Sequence, residues 1–129
     1  MNHKIKQENL KTYLFGGNAD FILKDTRNND YINYNIVKYP NDIFRVYHKS
    51  AKKTYIGNII GKIFTILDKE ASNDIATIFS KFHYILIYTD KLPSNIDVYY
   101  TGKCSVCNRT LKNPKYIDIG IGIECLKKF

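Results

Sequence analysis

Hydrophobic and polar residues alternate along much of the first half of the chain, a two-residue period typical of half-buried β-strands. The clearest case is residues 31–39, where isoleucine and tyrosine alternate with asparagine. Similar patterns predict strands at residues 19–24, 43–49 and 54–60, and residues 62–67 are expected to form a fifth strand or a bent extension of the fourth. A last strand, residues 96–100, leads into the cysteine segment. Turn-forming residues separate consecutive strands, which favours hairpins. We therefore expect an antiparallel sheet of four to five strands, in which Gly57 and Gly61 mark a bulge or a close backbone approach.

The period changes to that of a helix further along the chain. Apolar residues recur at spacings of three and four at Ile75, Ile78, Phe79, Phe82, Ile85 and Leu86. This spacing predicts a helix over residues 73–88, with Ser72 or Asn73 as its N-cap. A shorter helix is expected over residues 6–15, ended by Gly16-Gly17. Because the apolar helix face needs a cover, we expect an α+β fold in which one helix packs on the sheet.

The last quarter of the chain contains all three of its cysteines. Cys104 and Cys107 form a Cys-x-x-Cys pair, and Cys125 follows after 17 further residues. A tight turn at the pair and a reversal of the chain would bring three thiolates to one point, as a tetrahedral metal ion requires. This pattern predicts a structural Zn²⁺ site in which the three cysteines are ligands.

The residues between the cysteines favour such a reversal. Asn113-Pro114 is typical of a helix start, whereas Gly120 and Gly122 are typical of a stop. Cys125 would then lie near the start of a terminal helix over residues 123–129, where the helix dipole favours a thiolate. We expect residues 101–129 to form a zinc-knuckle or treble-clef-like module, packed on a body made of residues 1–100.

Three cysteines leave one metal position to fill. His83 is the first candidate, because imidazole is a common partner of thiolates in zinc sites. The alternatives are His48, His3, Asp118, Glu124 and water. Without a metal, the cysteines would be small buried hydrophobic residues. A redox pair would need a βαβ setting, and catalytic zinc would need a His-Glu-x-x-His type of motif; neither pattern occurs, so we do not expect an enzyme.

The formal charge of +8 favours an acidic partner such as nucleic acid, although a solvated basic surface has the same composition. The candidate contact residues are Lys49, Lys52, Lys53, Lys103, Arg109, Lys112 and Lys115. Tyr31, Tyr39, Tyr47 and Tyr55 lie near basic residues on predicted strands, where they would either stack on bases or simply pack. The N-terminus lacks a signal peptide and no apolar run is long enough to span a membrane, so we expect a cytoplasmic protein.

The tail resembles the C-terminus of small proteins of unassigned function from bacteriophages and other mobile elements. The matching residues are Cys104, Cys107, Arg109, Leu111, Pro114, Gly120, Ile121, Gly122 and Cys125. Two positions depart from that pattern: Tyr100 replaces a histidine four residues before the first cysteine, and Ile123 replaces a proline. Similarity elsewhere is limited to residues 17–21 and 55–57. The resemblance implies a phage or mobile-element protein that acts in the cytoplasm of a bacterial host.

Two functions are consistent with these features. The first is a non-enzymatic, zinc-binding accessory protein that binds nucleic acid, based on the charge and the cysteine pattern. The alternative is a protein-interaction inhibitor of a host defence system, similar to an anti-CRISPR protein, whose partner would be a defence complex or another host nucleoprotein. A hydrolase that uses an open zinc position is the least favoured interpretation.

Overall fold

A computed structural model of the chain describes residues 2–70 and 73–128. Within them, one antiparallel sheet is formed by β1 (His3–Lys4), β2 (Asn18–Asp25), β3 (Tyr31–Tyr39), β4 (Ile43–Lys49), β5 (Lys53–Ile60), β6 (Ile63–Ile66) and β7 (Ile96–Tyr100). The helices are α1 (Gln7–Leu14), α2 (Asp74–Thr89), α3 (Pro114–Ile119) and α4 (Ile123–Leu126). The α+β class predicted from the sequence is confirmed.

The described sheet has seven strands, so the prediction of four to five was too low. Its order is β1-β7-β2-β3-β4-β5-β6, in which β2 to β6 form a meander and β7 lies between β1 and β2. Residues 62–67, predicted as a fifth strand or a bent extension of the fourth, contain the separate strand β6, because the chain turns at Gly61 with a φ of 61°. The short β1 pairs with β7 alone, through His3 opposite Tyr100 and Lys4 opposite Tyr99.

One face of the sheet forms the hydrophobic core together with α1 and α2. Phe21 and Tyr34 project from the sheet and are fully buried. Phe79 of α2 packs against Tyr34 and Phe64, with its ring centroid 5.2 Å from that of Tyr34 and 4.8 Å from that of Phe64. The side chains on the opposite sheet face remain mostly part-exposed, so the sheet presents a second surface that none of the described helices covers.

Helix α2 begins one residue later than predicted and is capped by Asn73, whose side chain accepts a hydrogen bond from the Ile75 N–H at 2.8 Å. The other cap candidate, Ser72, lies outside the described residues. Phe79 is buried as expected, but the buried face is rotated and also includes His83. Ile78 is therefore 39% exposed, although its spacing predicted burial.

The predicted irregularity at Gly57 is a β-bulge. Val46 pairs with Gly57 but the next residue, Tyr47, pairs with Tyr55, so Ile56 is the extra residue. A Cβ at Gly57 would lie 2.5 Å from the Thr65 carbonyl oxygen. The glycine therefore permits the close approach of β6, while the bulge places Tyr47 directly opposite Tyr55.

Candidate metal centre

The first two cysteines lie on a tight turn between two short extended segments. Lys103 and Thr110 form an antiparallel bridge across this turn. The Cys104 N–H donates to the Arg109 carbonyl at 2.9 Å, and the Asn108 N–H donates back to the Cys104 carbonyl at 2.9 Å. Asn108 has a left-handed φ of 64°, which asparagine tolerates better than most residues. These bonds place both thiols on the same side of the turn.

Helix α3 and the glycines after it return the chain to this turn. As predicted, Asn113 caps α3 by accepting a hydrogen bond from the Lys115 N–H at 2.9 Å, and Pro114 is the first helical residue. Gly120 ends the helix with a φ of 83°, and its carbonyl accepts from the Ser105 N–H at 3.0 Å. The terminal helix α4 follows but ends at Leu126; the predicted end, Phe129, lies outside the described residues.

These turns bring Cys104, Cys107 and Cys125 together, with their three Sγ atoms within 4.8 Å of one another. Tetrahedral Zn²⁺ with Zn–S bonds of about 2.3 Å needs sulfurs roughly 3.8 Å apart, so a small contraction of the cluster would accommodate the ion. Cys104 and Cys125 are buried while Cys107 is exposed. The three thiols could therefore hold a metal ion, whose identity the geometry leaves open.

Backbone N–H groups surround the innermost sulfur. Those of Val106 and Gly122 each lie 3.4 Å from the Cys104 Sγ. Burial acts to raise the pKa of the Cys104 thiol, but hydrogen bonds from the backbone of Cys107, Gly122 and Val106 outweigh it and lower that pKa. Burial, followed by hydrogen bonding to the other two thiols, raises the pKa of Cys125 to about 11. The backbone thus favours a thiolate at one ligand before any metal binds.

His83, predicted as the fourth ligand, is not part of this cluster. Its ring packs among Phe15, Phe64 and Phe79, with centroids 6.1–6.4 Å away. The buried Nε2 atom has no hydrogen-bond partner among the described residues. Because α2 directs this side chain into the aromatic core, the structure does not bring it to the thiols.

The other candidate ligands also lie outside the cluster, which contains no imidazole or carboxylate from the described residues. His3 packs against the Tyr100 ring at 5.9 Å, and His48 faces Tyr34 at 6.4 Å. The Glu124 carboxylate lies 3.5 Å from the Lys127 ammonium. Among the described histidines, cysteines and carboxylates, only the three cysteines are placed to bind one ion. A tetrahedral ion would therefore take its fourth ligand from another group or from water.

The cysteine-containing segment is joined to the body by short polar contacts. The Asn18 N–H donates to the Ser105 carbonyl at 2.6 Å, next to the Cys-x-x-Cys turn. The buried Tyr100, at the end of β7, donates its hydroxyl hydrogen to the Ile117 carbonyl of α3. Gly16 lies so close to Ser105 that an added Cβ would come within 2.2 Å of the serine oxygen. Movement of the tail is therefore coupled to α1, β2 and β7.

The predicted basic contact residues fall into two groups. Lys49, Lys52 and Lys53 surround the turn between β4 and β5. The tail group consists of Lys103, Arg109, Lys112 and Lys115, which flank the knuckle and the start of α3. Lys49 is paired with Asp20 at 2.6 Å. Sequence reasoning did not select Arg45, whose neighbours across the sheet depend on the bulge.

Comparison of the chain with family models, curated proteins and solved structures returned no match. The similarity of the tail to proteins of mobile elements therefore stays a prediction. Within residues 2–70 and 73–128, no helix combines the length and the apolar composition needed to cross a membrane.

Proposed function

We propose that the chain is a non-enzymatic nucleic-acid-binding protein whose C-terminal segment is folded around a structural Zn²⁺ ion. The observation that carries this proposal is the convergence of Cys104, Cys107 and Cys125 within 4.8 Å. Thiolates favour zinc, copper(I) and iron–sulfur clusters among biological metals, and zinc alone among these has no redox chemistry to control. The role is structural because the ion would tie Cys125 on α4 to the Cys-x-x-Cys turn, two segments that are separated along the chain.

The charge distribution supports nucleic acid as the partner. The formal charge is +8, and among the described residues none of Lys103, Arg109, Lys112 or Lys115 forms an ion pair. Unpaired cations on a metal-stabilised surface can neutralise phosphates, and the release of counterions then drives binding. In keeping with the resemblance of its tail, the protein would act as an accessory factor of a phage or mobile element in the host cytoplasm.

Metal content is the first test. Elemental analysis of the purified protein should find about one zinc per chain, and Cys104→Ser should remove it. Asn108→Gly is the matched control, because glycine also adopts the positive φ of this position and no ligand changes. Retention of zinc by Cys104→Ser, or an absence of zinc from the wild type purified without chelators, would contradict the metal site.

Gel-shift titration at low and moderate salt tests the nucleic-acid partner. A Lys112→Gln/Lys115→Gln protein should bind more weakly, with the slope of log affinity against log salt reduced by about one unit per lost phosphate contact. The control is Lys38→Gln, which removes a cation that Asp42 already pairs at 3.3 Å. No binding by the wild type at micromolar concentration in low salt would eliminate this function.

A further inference from the structure

The uncovered face of the sheet carries a compact group of aromatic and cationic side chains. We name Tyr39, Arg45, Tyr47, Lys53 and Tyr55 the tyrosine platform. The Arg45 guanidinium carbon lies 4.3 Å from the Tyr39 ring centroid and 5.0 Å from that of Tyr55. The Lys53 ammonium lies 4.3 Å from the Tyr47 ring, which is itself 5.5 Å from Tyr55. The platform thus spans β3, β4 and β5.

Core packing does not account for this group. Arg45 and Tyr47 flank Val46, which is fully buried in the core, so their side chains project from the opposite face of β4. None of the five platform residues is buried, and Lys53 is exposed. The rings therefore lie on a surface that solvent reaches, with cations placed between them.

The two cations of the platform are not neutralised by carboxylates. Among the described residues, neither Arg45 nor Lys53 forms an ion pair, whereas Lys49 on the same strand as Arg45 is paired with Asp20. A guanidinium that lies against tyrosine rings keeps its charge and its donors, and it can bind phosphate or stack on a base. The platform therefore offers positive charge and aromatic surface together.

The hydroxyl groups of the three platform tyrosines already form hydrogen bonds within the protein. The Tyr39 and Tyr47 hydroxyls are hydrogen-bonded to each other at 2.9 Å, and the Tyr55 hydroxyl donates to the Asn58 side chain. These hydroxyls are therefore less available to recognise a sugar 2′-OH or a base edge. What the surface offers is ring faces and cations, which suit a ligand with flat bases and phosphates that needs no sugar recognition.

We propose that the tyrosine platform binds single-stranded DNA, whose bases stack on the tyrosine rings while Arg45 and Lys53 contact the phosphates. This inference rests on the proposed nucleic-acid binding and names its substrate class. A single strand exposes the base faces that stacking requires, whereas a duplex keeps them paired inside the helix. The binding is independent of base sequence, because stacking uses a surface that every base has.

Fluorescence anisotropy with labelled dT15 tests the platform directly. Tyr47→Val/Tyr55→Val should weaken dT15 binding at least about tenfold, since base–aromatic stacking accounts for this much per base. Valine preserves strand propensity, and a urea midpoint near that of the wild type checks the fold. The matched control is Tyr84→Val/Tyr88→Val, which removes another exposed pair of tyrosines, 4.7 Å apart on α2. Binding by this control should equal that of the wild type.

Photocross-linking of 5-bromodeoxyuridine oligonucleotides to the wild-type protein provides a measurement that needs no variant. Peptide mapping should find the cross-links on the platform strands β4 and β5. Cross-links confined to the tail would overturn the proposal even if the valine variants failed to fold.

The outcomes separate this inference from the proposed function. Loss of dT15 binding in Tyr47→Val/Tyr55→Val but not in Tyr84→Val/Tyr88→Val supports the platform and the proposed nucleic-acid binding. Equal binding of duplex and dT15 that the platform variant leaves unchanged overturns the platform and leaves nucleic-acid binding intact. Binding of rU15 more than tenfold tighter than dT15 overturns DNA as the occupant. Failure of every oligonucleotide to bind overturns the proposed function itself.

Discussion

Gly120 lies where α3 meets the cysteine turn, so a single methyl group there tests whether the fold positions the cysteines. Its φ of 83° lies in the left-handed region. A Cβ at this position would come 2.4 Å from the Cδ1 atom of Tyr13 and 3.1 Å from that of Ile5. Ordinary contacts of this kind are 3.4–4 Å, so Gly120→Ala forces its neighbours to move.

Movement of the Tyr13 side chain away from this position costs free energy. Its ring is buried, and its hydroxyl donates to the Asp20 carbonyl at 2.8 Å. The left-handed backbone costs alanine about 1–2 kcal/mol, and overpacking of a core costs about 1–3 kcal/mol. We therefore expect Gly120→Ala to lose about 2–5 kcal/mol of unfolding free energy, a large share of the roughly 5–15 kcal/mol typical of a domain.

Urea denaturation measures this loss, and Gly61→Ala separates its two components. Gly61 also has a left-handed φ, 61°, but an added Cβ would meet nothing within 4 Å. The control should lose only about 1–2 kcal/mol. Competition with a chromophoric chelator should also show at least tenfold weaker metal retention in Gly120→Ala, because the strain moves Cys125 relative to Cys104. Equal destabilisation of the two variants would refute the packing account.

Three other perturbations follow from the core and the cysteines. Phe79→Ala should cost about 3–5 kcal/mol in urea denaturation, because it empties the site between the sheet and α2; a loss below about 1 kcal/mol would contradict this packing. Burial lowers the pKa of His83 from 6.5 to about 4, so the unfolded state binds the proton first as the pH falls, and stability should drop by up to about 3 kcal/mol between pH 7 and pH 4. His83→Leu should lose most of that dependence, and an unchanged pH profile would refute its origin. Chelation of zinc present at about a thousand times its Kd should cost the wild type about 4 kcal/mol, whereas Cys104→Ser should not respond.

The sequence pattern located most of the sheet because one buried face produces a clear alternation. Strands β3, β4 and β7 have the predicted bounds. The two residues of β1 are too few to show a period, so the sheet is wider than predicted. The predicted buried face of α2 was misplaced because the apolar spacing left out Ala76 and His83. Both side chains are buried, so the observed buried face is rotated relative to the predicted one.

The candidate site also has a part that the sequence predicts and a part that it does not. The cysteine cluster was predictable because local signals return the chain to the Cys-x-x-Cys turn. Asn113-Pro114 starts α3 and Gly120 ends it, and each signal acts over a few residues. The assignment of His83 required the distance between α2 and the tail, which no spacing along the chain specifies. Arg45 was missed because its contacts with Tyr39 on β3 and Tyr55 on β5 depend on strand register. The bulge at Ile56 shifts the β4–β5 register by one residue.

The insertion of β7 between β1 and β2 has a consequence for the order of folding. During synthesis, the meander from β2 to β6 can pair as each strand follows the last. β1 must wait, because its only strand neighbour in the described part of the chain, β7, is made more than 90 residues later. Until then β2 is an open edge, and Phe21 on it lacks its partner Tyr100. The strand that closes the sheet also leads directly into the cysteine turn, so we expect completion of the core and assembly of the cysteine cluster to be late, shared steps.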